Sequence, residues 1–176
     1  LVSQAILDLI PAGTSRIFVG KAAGNHHLGQ SEINELLGNL ALRSRKVVRL
    51  KGGDPLIFGR GSEEALHLTR LGVRFEIIPG ITAASACTTY AGIPLTHRNL
   101  SRTFALITGH ADPGDPDAPD FSALARMDTI AIYMGVKNLA ANCRKLTDCG
   151  MDPATPVAVI HWGSRPQQQT VVGTLG

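Results

Sequence analysis

The sequence predicts an α/β chain, and three observations predict it. Short apolar runs suited to strands alternate with segments whose apolar residues recur at helical spacing, on both sides of a polar, proline-containing break at residues 92–101. Glycine is frequent, at 19 of 176 residues, whereas aromatic residues make up 5%; this balance suits many strand-to-loop turns and offers few surfaces for stacking nucleic-acid bases. Val47, Val48 and Leu50 lead into Gly52 and Gly53, as where a strand ends in a ligand-binding loop. With 44% hydrophobic residues the chain can bury a core, and the break divides it into an N-terminal domain, 1–98, and a C-terminal domain, 99–176.

The elements follow in order. Residues 1–10 read as the remainder of a helix closed by Pro11 and Gly13. Residues 15–20 form a strand whose continuous run Ile17, Phe18 and Val19 suits a sheet covered on both faces, ending at Gly20 and Lys21. The adjacent His26 and His27 cannot both face one metal from a helix, and no other ligand stands at suitable spacing, so no metal site is predicted. Ile33, Leu36, Leu37, Leu40 and Ala41 fall on one face of a helix over 31–43. Ser62 is placed to cap a helix reaching Leu71, with Glu63 and Glu64 in its first turn, where the helix dipole favours acids. Residues 73–78 form a further strand. Pro79 and Gly80 then open a helix of small residues running to Ala91, with Thr82 as its capping hydroxyl.

In the second half, strands are predicted at 103–108, 129–134, 155–161 and 169–174, with a helix over 136–148. Val136, Leu139, Ala140, Cys143 and Leu146 give that helix its buried stripe. Residues 111–120 carry Pro113, Pro116 and Pro119 among four aspartates and read as a loop; without a closing glutamate the tract does not suit a calcium loop.

Charge narrows the choice of partner. The formal net charge is +3 and the pI about 9.0, a mild bias that selects no particular polymer. Arg43, Arg45, Lys46, Arg49, Lys51 and Arg60 nevertheless face a single acid, Asp54, and strand alternation puts Arg49 and Lys51 on one face beside the glycine loop. A polyanionic small molecule would account for that face. The three cysteines include no Cys-x-x-Cys pair, so neither a disulfide framework nor a zinc site is indicated and a reducing cytoplasm is expected. No apolar run approaches a membrane span, and the start at Leu1 reads as the beginning of a fragment.

The chemistry concentrates in residues 47–61, reading Val-Val-Arg-Leu-Lys-Gly-Gly-Asp-Pro-Leu-Ile-Phe-Gly-Arg-Gly. Gly52 and Gly53 allow close approach of backbone to a bound molecule, Asp54 can accept hydrogen bonds or face a cation, and Pro55 fixes the turn. The spacing matches neither the P-loop nor the Rossmann dinucleotide fingerprint. The stretch closely resembles the signature of the tetrapyrrole methylases, in particular those that methylate uroporphyrinogen III with S-adenosylmethionine. The resemblance continues through Leu1-Val-Ser, Phe18-Val-Gly-Lys21, Pro79-Gly-Ile-Thr-Ala83, Gly92-Ile-Pro-Leu-Thr-His-Arg98, Ile107-Thr-Gly-His110 and Tyr133-Met-Gly135.

This resemblance implies a tetrapyrrole methylase fold of two α/β domains with the active site in the cleft between them, truncated here at both ends. It implies transfer of two methyl groups from S-adenosylmethionine to adjacent pyrrole rings of uroporphyrinogen III, giving precorrin-2 for siroheme or cobalamin synthesis, by a cytoplasmic homodimer that needs no metal. By the same resemblance Gly52, Gly53, Asp54, Ile57, Thr82, Ala83, Met134 and Gly163 are donor contacts. Lys21 matches a proton-donor lysine, Arg60 and Glu63 line the porphyrinogen pocket, and Arg60, Arg98 and Met134 meet the substrate. Forked arginines suit its carboxylates better than lysines, with Arg49 and Lys51 adding positive field. The family also places a donor loop and a catalytic aspartate ahead of Leu-Val-Ser, so the fragment alone is expected to be inactive. Two rivals remain: a methylase of a later corrin precursor, and a non-catalytic nucleotide- or RNA-binding module using the basic strand.

Overall fold

The computed structural model of the protein describes residues 2–20, 28–43, 46–109 and 118–176. Lys21, the paired histidines and most of the 111–120 tract lie outside these residues. By its internal contacts the chain divides into two units, Leu1–Ile81 and Thr82–Gly176, so the expected boundary after Arg98 falls inside the second.

The first unit is built on two helices. A single turn, α1 (Gln4–Leu7), is all that forms of the expected opening helix. Helix α2 (Gln30–Arg43) buries Ile33 and Gly38, and α3 (Gly61–Arg70) buries Gly61, Glu64 and Leu68 on one stripe. Glycine in mid-helix lowers helix propensity. At Gly38 it lies close to the next helix: an added Cβ would sit 2.5 Å from Leu71 Cδ1 and 3.0 Å from His67 Nε2, so a larger residue there requires the ends of those two side chains to move aside.

The three strands expected in this unit do not form among the described residues. The stretches around Ile17, Val48 and Ile77 are extended or irregular and pair with no neighbouring strand. Their apolar side chains are exposed, Phe18 at 68% and Val48 at 75%, rather than covered on two faces. A strand is a hydrogen-bonded object, and apolar alternation without a ladder partner does not make one. The N-terminus of α3 also differs from expectation: Arg60, in the left-handed region, occupies the capping position and Ser62 lies inside the helix.

The second unit carries the sheet. After α4 (Ala83–Tyr90) comes β1 (Phe104–Thr108), which pairs in parallel with β2 (Thr129–Tyr133), Phe104 opposite Thr129 and Thr108 opposite Tyr133. The connection passes through a short helix not foreseen, α5 (Phe121–Leu124), whose first turn is capped by the Asp120 carboxylate accepting from Ser122 and Ala123. Beyond β2 the predicted helix opens as a 3-10 turn (Val136–Asn138) and continues as α6 (Leu139–Asp148). Strands β3 (Pro156–His161) and β4 (Gln169–Thr174) form an antiparallel pair. Ile107, Leu124, Leu146 and Leu175 are the buried core, joined by Phe121, Ile130, Ile132, Cys143 and Val157. Cys143 and Leu146 pack as expected of their stripe, whereas Val136, Leu139 and Ala140 are exposed, so only the C-terminal part of the expected stripe is covered.

The parallel pair is fastened at its N-terminal end by one carboxylate. Asp128 Oδ2 accepts from Arg102 N, Thr103 N and Thr103 Oγ1, each at 2.8 Å, and Thr103 Oγ1 accepts in return from Asp128 N at 2.9 Å. The backbone and hydroxyl donors hold the Asp128 carboxyl below the usual carboxylate range.

Candidate active site

In the first unit the described site residues lie on one tightly determined loop, 52–61, apart from Glu63, which follows it in α3. Gly53 has φ +74°, a conformation suited to glycine, and a Cβ on Gly80 would lie 2.2 Å from the Gly53 carbonyl oxygen. Backbone thus meets backbone at that point. Asp54 braces the approach, its Oδ2 accepting from Gly80 N at 3.1 Å and its Oδ1 from Leu56 N at 2.9 Å. These backbone donors, Gly80 foremost, hold the Asp54 carboxyl below its ordinary range. At the far end Gly61 N donates to the Pro55 carbonyl at 2.9 Å. Gly52 and Gly53 are exposed, and Ile57 is half-buried.

Arg60 and Glu63, paired in the expectation, do meet. Arg60 Nε and Nη2 reach Glu63 Oε1 and Oε2 at 2.7 and 2.8 Å, a forked ion pair with side chains 57% and 46% exposed. The shared hydrogen bonds raise the guanidinium pKa and lower that of the carboxyl. The neighbouring Glu64, expected only to favour the helix dipole, is instead buried. It receives Arg49 Nε at 3.1 Å and Lys51 Nζ at 2.9 Å, with Gln30 Nε2 at 3.4 Å. Arg49 and Lys51 therefore point at an internal carboxylate, which corrects their assignment as a free field for substrate. The overlooked signal was spacing: Glu64 shares a helical face with Gly61 and Leu68.

In the second unit Thr82 and Ala83 open α4, and Gly163 lies against it. Thr82 holds the capping position with extended backbone, yet its side chain caps nothing. Ala84 N donates instead to Tyr133 Oη at 2.7 Å, and the Tyr133 and Thr82 hydroxyls share a hydrogen bond. One residue past Tyr133, Met134 is 61% exposed with φ 56°. Gly163 packs on the same helix: a Cβ there would lie 2.1 Å from Cys87 Sγ and 2.7 Å from Cys87 Cβ. Burial pushes the Cys87 thiol up, away from the reactive thiolate. Arg98 lies exposed in the turn closed by the His97–Ser101 bridge, and its carbonyl accepts from Arg102 Nε at 3.4 Å. Ala83 is exposed at the first helical position, where geometry leaves the N–H without an intrahelical acceptor.

Backbone strain marks the same places. Among the described residues, the non-glycine positions with positive φ are Phe58, Arg60, Met134, Trp162 and Ser164. Each is itself a candidate or directly adjoins one, namely Ile57, Arg60, Met134 or Gly163. Strained conformations of this kind cost about 1 to 3 kcal/mol each and persist where surrounding structure over-determines them, commonly at ligand sites. Trp162 and Ser164 have no place in the sequence reading, and Tyr133 enters it only within the stretch Tyr133-Met-Gly135, without a role of its own. Tyr133 carried a readable signal, a hydroxyl at a strand end opposite in phase to Ile130 and Ile132, which pack on the core. Among the described residues no group of three or more His, Cys, Asp or Glu could hold a metal ion.

Over residues 1–176 the chain matches the family Tetrapyrrole (Corrin/Porphyrin) Methylases. It is 52% identical over 176 residues to siroheme synthase 1 of Yersinia enterocolitica, an alignment spanning 99% of this chain and 37% of that protein. It is 47% identical over 177 residues to uroporphyrinogen-III C-methyltransferase of Priestia megaterium, spanning all of this chain and 74% of that one. Two crystal structures of uroporphyrin-III C-methyl transferase from Thermus thermophilus are similar in fold. The native form superposes with TM-score 0.82 at 38% identity, over 99% of this chain and 73% of that one. The form complexed with S-adenyl homocysteine gives TM-score 0.73 at 40% identity, over 83% and 64%. The α/β architecture, the glycine loop and this match over the whole chain agree: the chain belongs to the tetrapyrrole methylases. It spans little more than a third of the siroheme synthases it resembles.

Proposed function

We propose that this chain supplies donor- and substrate-binding residues of an enzyme that methylates uroporphyrinogen III with S-adenosylmethionine, on two adjacent pyrrole rings, giving precorrin-2. The observation that carries the reading is the coincidence of backbone strain with the donor positions: left-handed residues sit at or beside Ile57, Met134 and Gly163. The names and similarity of the relatives support it, as does the complex of the Thermus enzyme with S-adenyl homocysteine.

The residues present fit such a donor. Gly52 and Gly53 offer exposed backbone without side chains, Ala83 offers a first-turn amide, and the Thr82 hydroxyl, bonded to Tyr133, has two further hydrogen-bonding sites. When bound, the donor supplies an electrophilic sulfonium methyl that an electron-rich reduced pyrrole attacks directly. What the protein adds is alignment, water exclusion and proton handling. Asp54, committed to Gly80 and Leu56, holds the glycine loop in shape rather than presenting a free charge. Arg60 and Arg98 are proposed to take carboxylate arms of the porphyrinogen, Met134 to meet it, Glu63 to set the orientation of Arg60, and Lys21 to move a proton. Assembly as a homodimer in the cytoplasm completes the proposal. Among the described residues no helix is long and apolar enough to cross a membrane.

The test is methyl transfer by the full-length protein, using methyl-labelled S-adenosylmethionine and uroporphyrinogen III. Two labelled methyls per tetrapyrrole are expected. Arg60→Lys, which keeps charge and loses the fork, should weaken porphyrinogen binding and spare binding of S-adenosylhomocysteine. Labelling of a later corrin precursor with none of uroporphyrinogen III would overturn the substrate assignment. RNA retention that falls steeply with salt, without methyl transfer, would favour the binding-module reading.

A further inference from the structure

We propose that Tyr133 is a positioning residue for the methyl donor, acting through Thr82; this rests on the donor reading above. Threonine at the capping position of a helix ordinarily spends its oxygen on a first-turn amide. In α4 that task has passed to another element: the Ala84 amide is taken by Tyr133 Oη at 2.7 Å, and the same phenol holds the Thr82 hydroxyl.

The inventory of protons shows what this achieves. A phenol has one proton and two lone pairs, and one lone pair receives Ala84 N–H. If the phenol proton goes to Thr82, the threonine retains its own proton for a ligand acceptor. If Thr82 donates instead, its lone pairs stay open to a ligand donor. In both cases two of the three hydrogen-bonding sites of the Thr82 hydroxyl remain for a ligand, as many as self-capping would leave, and their direction is set by a side chain on β2 rather than by the α4 backbone.

Tyr133 is also the last residue of β2, one peptide before the strained, exposed Met134. A half-buried, rigid side chain thus joins two donor candidates, Thr82 and Met134, that lie far apart in the chain. Rotation of the ring would disturb both at once.

Tyr133→Phe in the full-length protein keeps the ring and removes both hydrogen bonds. By calorimetry its dissociation constant for S-adenosylhomocysteine should rise about tenfold, while that for uroporphyrinogen III should change less than about twofold. Tyr90→Phe, at an exposed tyrosine of the same helix, should change neither. Thr82→Val should reproduce the loss and Thr82→Ser should retain affinity. The double variant Tyr133→Phe with Thr82→Val should lose no more than either alone, because one linkage is removed in each case. The threonine pair keeps the proposal testable if the tyrosine variant does not fold. Unchanged donor affinity in Tyr133→Phe, equal loss for donor and porphyrinogen, or independent losses in the double variant would overturn the positioning role alone. A wild-type protein that binds no S-adenosylhomocysteine would overturn the donor reading itself.

Discussion

Glu63 and Glu64 are neighbours in sequence with opposite environments. Glu63 shares an open, half-exposed fork with Arg60, whereas Glu64 is 5% exposed between Arg49 and Lys51. Exposed pairs contribute little, because water and salt screen them and holding two long side chains costs entropy. Removing one member of a buried set leaves its partners desolvated and uncompensated. Glu64→Ala should therefore destabilise the protein by about 3 kcal/mol, the low end for a buried pair because Arg49 is partly exposed and can turn toward solvent. Glu63→Ala should cost less than about 1 kcal/mol. Urea denaturation of the two variants measures both, and equal losses would contradict the assignment of Glu64 as an internal counter-ion. From the sequence, two adjacent glutamates in a first turn look alike. What separates them is the direction in which the helix faces, and only Gly61 and Leu68 on the same stripe disclose that.

Among the elements, α4 and the loop after β3 meet at a contact with no slack. Gly163 is seated against Cys87 so closely that even a methyl group would overlap both sulfur and Cβ. Gly163→Ala should lower stability by about 1 to 3 kcal/mol through overpacking. Pairing it with Cys87→Ala should recover only part of the loss, since the Cys87 Cβ would still lie 2.7 Å from the new methyl. Thermal denaturation of the single and double variants decides this, and full recovery would show that sulfur alone sets the fit. The second unit's strands were largely readable, because Ile107, Ile130, Ile132 and Val157 alternate into a real core and find ladder partners. The first unit's were not. Ile17-Phe18-Val19 and Val47-Val48 have strand composition, but the partner that would complete a ladder is not among the described residues, and composition does not say whether a partner exists.

Across the whole molecule, three carboxylates share one electrostatic logic. Asp54, Asp120 and Asp128 each accept backbone N–H donors and are held below the ordinary carboxylate range. A carboxyl whose pKa is lower folded than unfolded stabilises the fold above its unfolded value, about 3.9, and that contribution disappears as pH falls through the folded value. These groups should leave stability level from neutral pH down to about 5, with a decline beginning below about 4. Asp128→Asn should lower the thermal midpoint at pH 7, and its difference from wild type should shrink as the pH is taken below about 4. A difference that widened in acid would reverse the sign assigned to Asp128. The glycine loop and the Thr82 to Ala83 turn were legible as candidate contacts from residue type and resemblance. For the side chains that hold them in place, Tyr133 and Glu64, periodicity discloses which face they lie on, but not their partners, because a supporting role is defined by what a residue touches.

The fork between Arg60 and Glu63 leaves the arginine partly uncommitted. Glu63 takes one N–H on Nε and one on Nη2, out of the five that a guanidinium carries. With the Arg60 side chain 57% exposed, the remaining Nη protons face water or any anion that reaches them, and Glu63 need not leave for them to be used. The carboxylate acts as a rudder: it sets the plane of the guanidinium and so the direction in which its open edge faces.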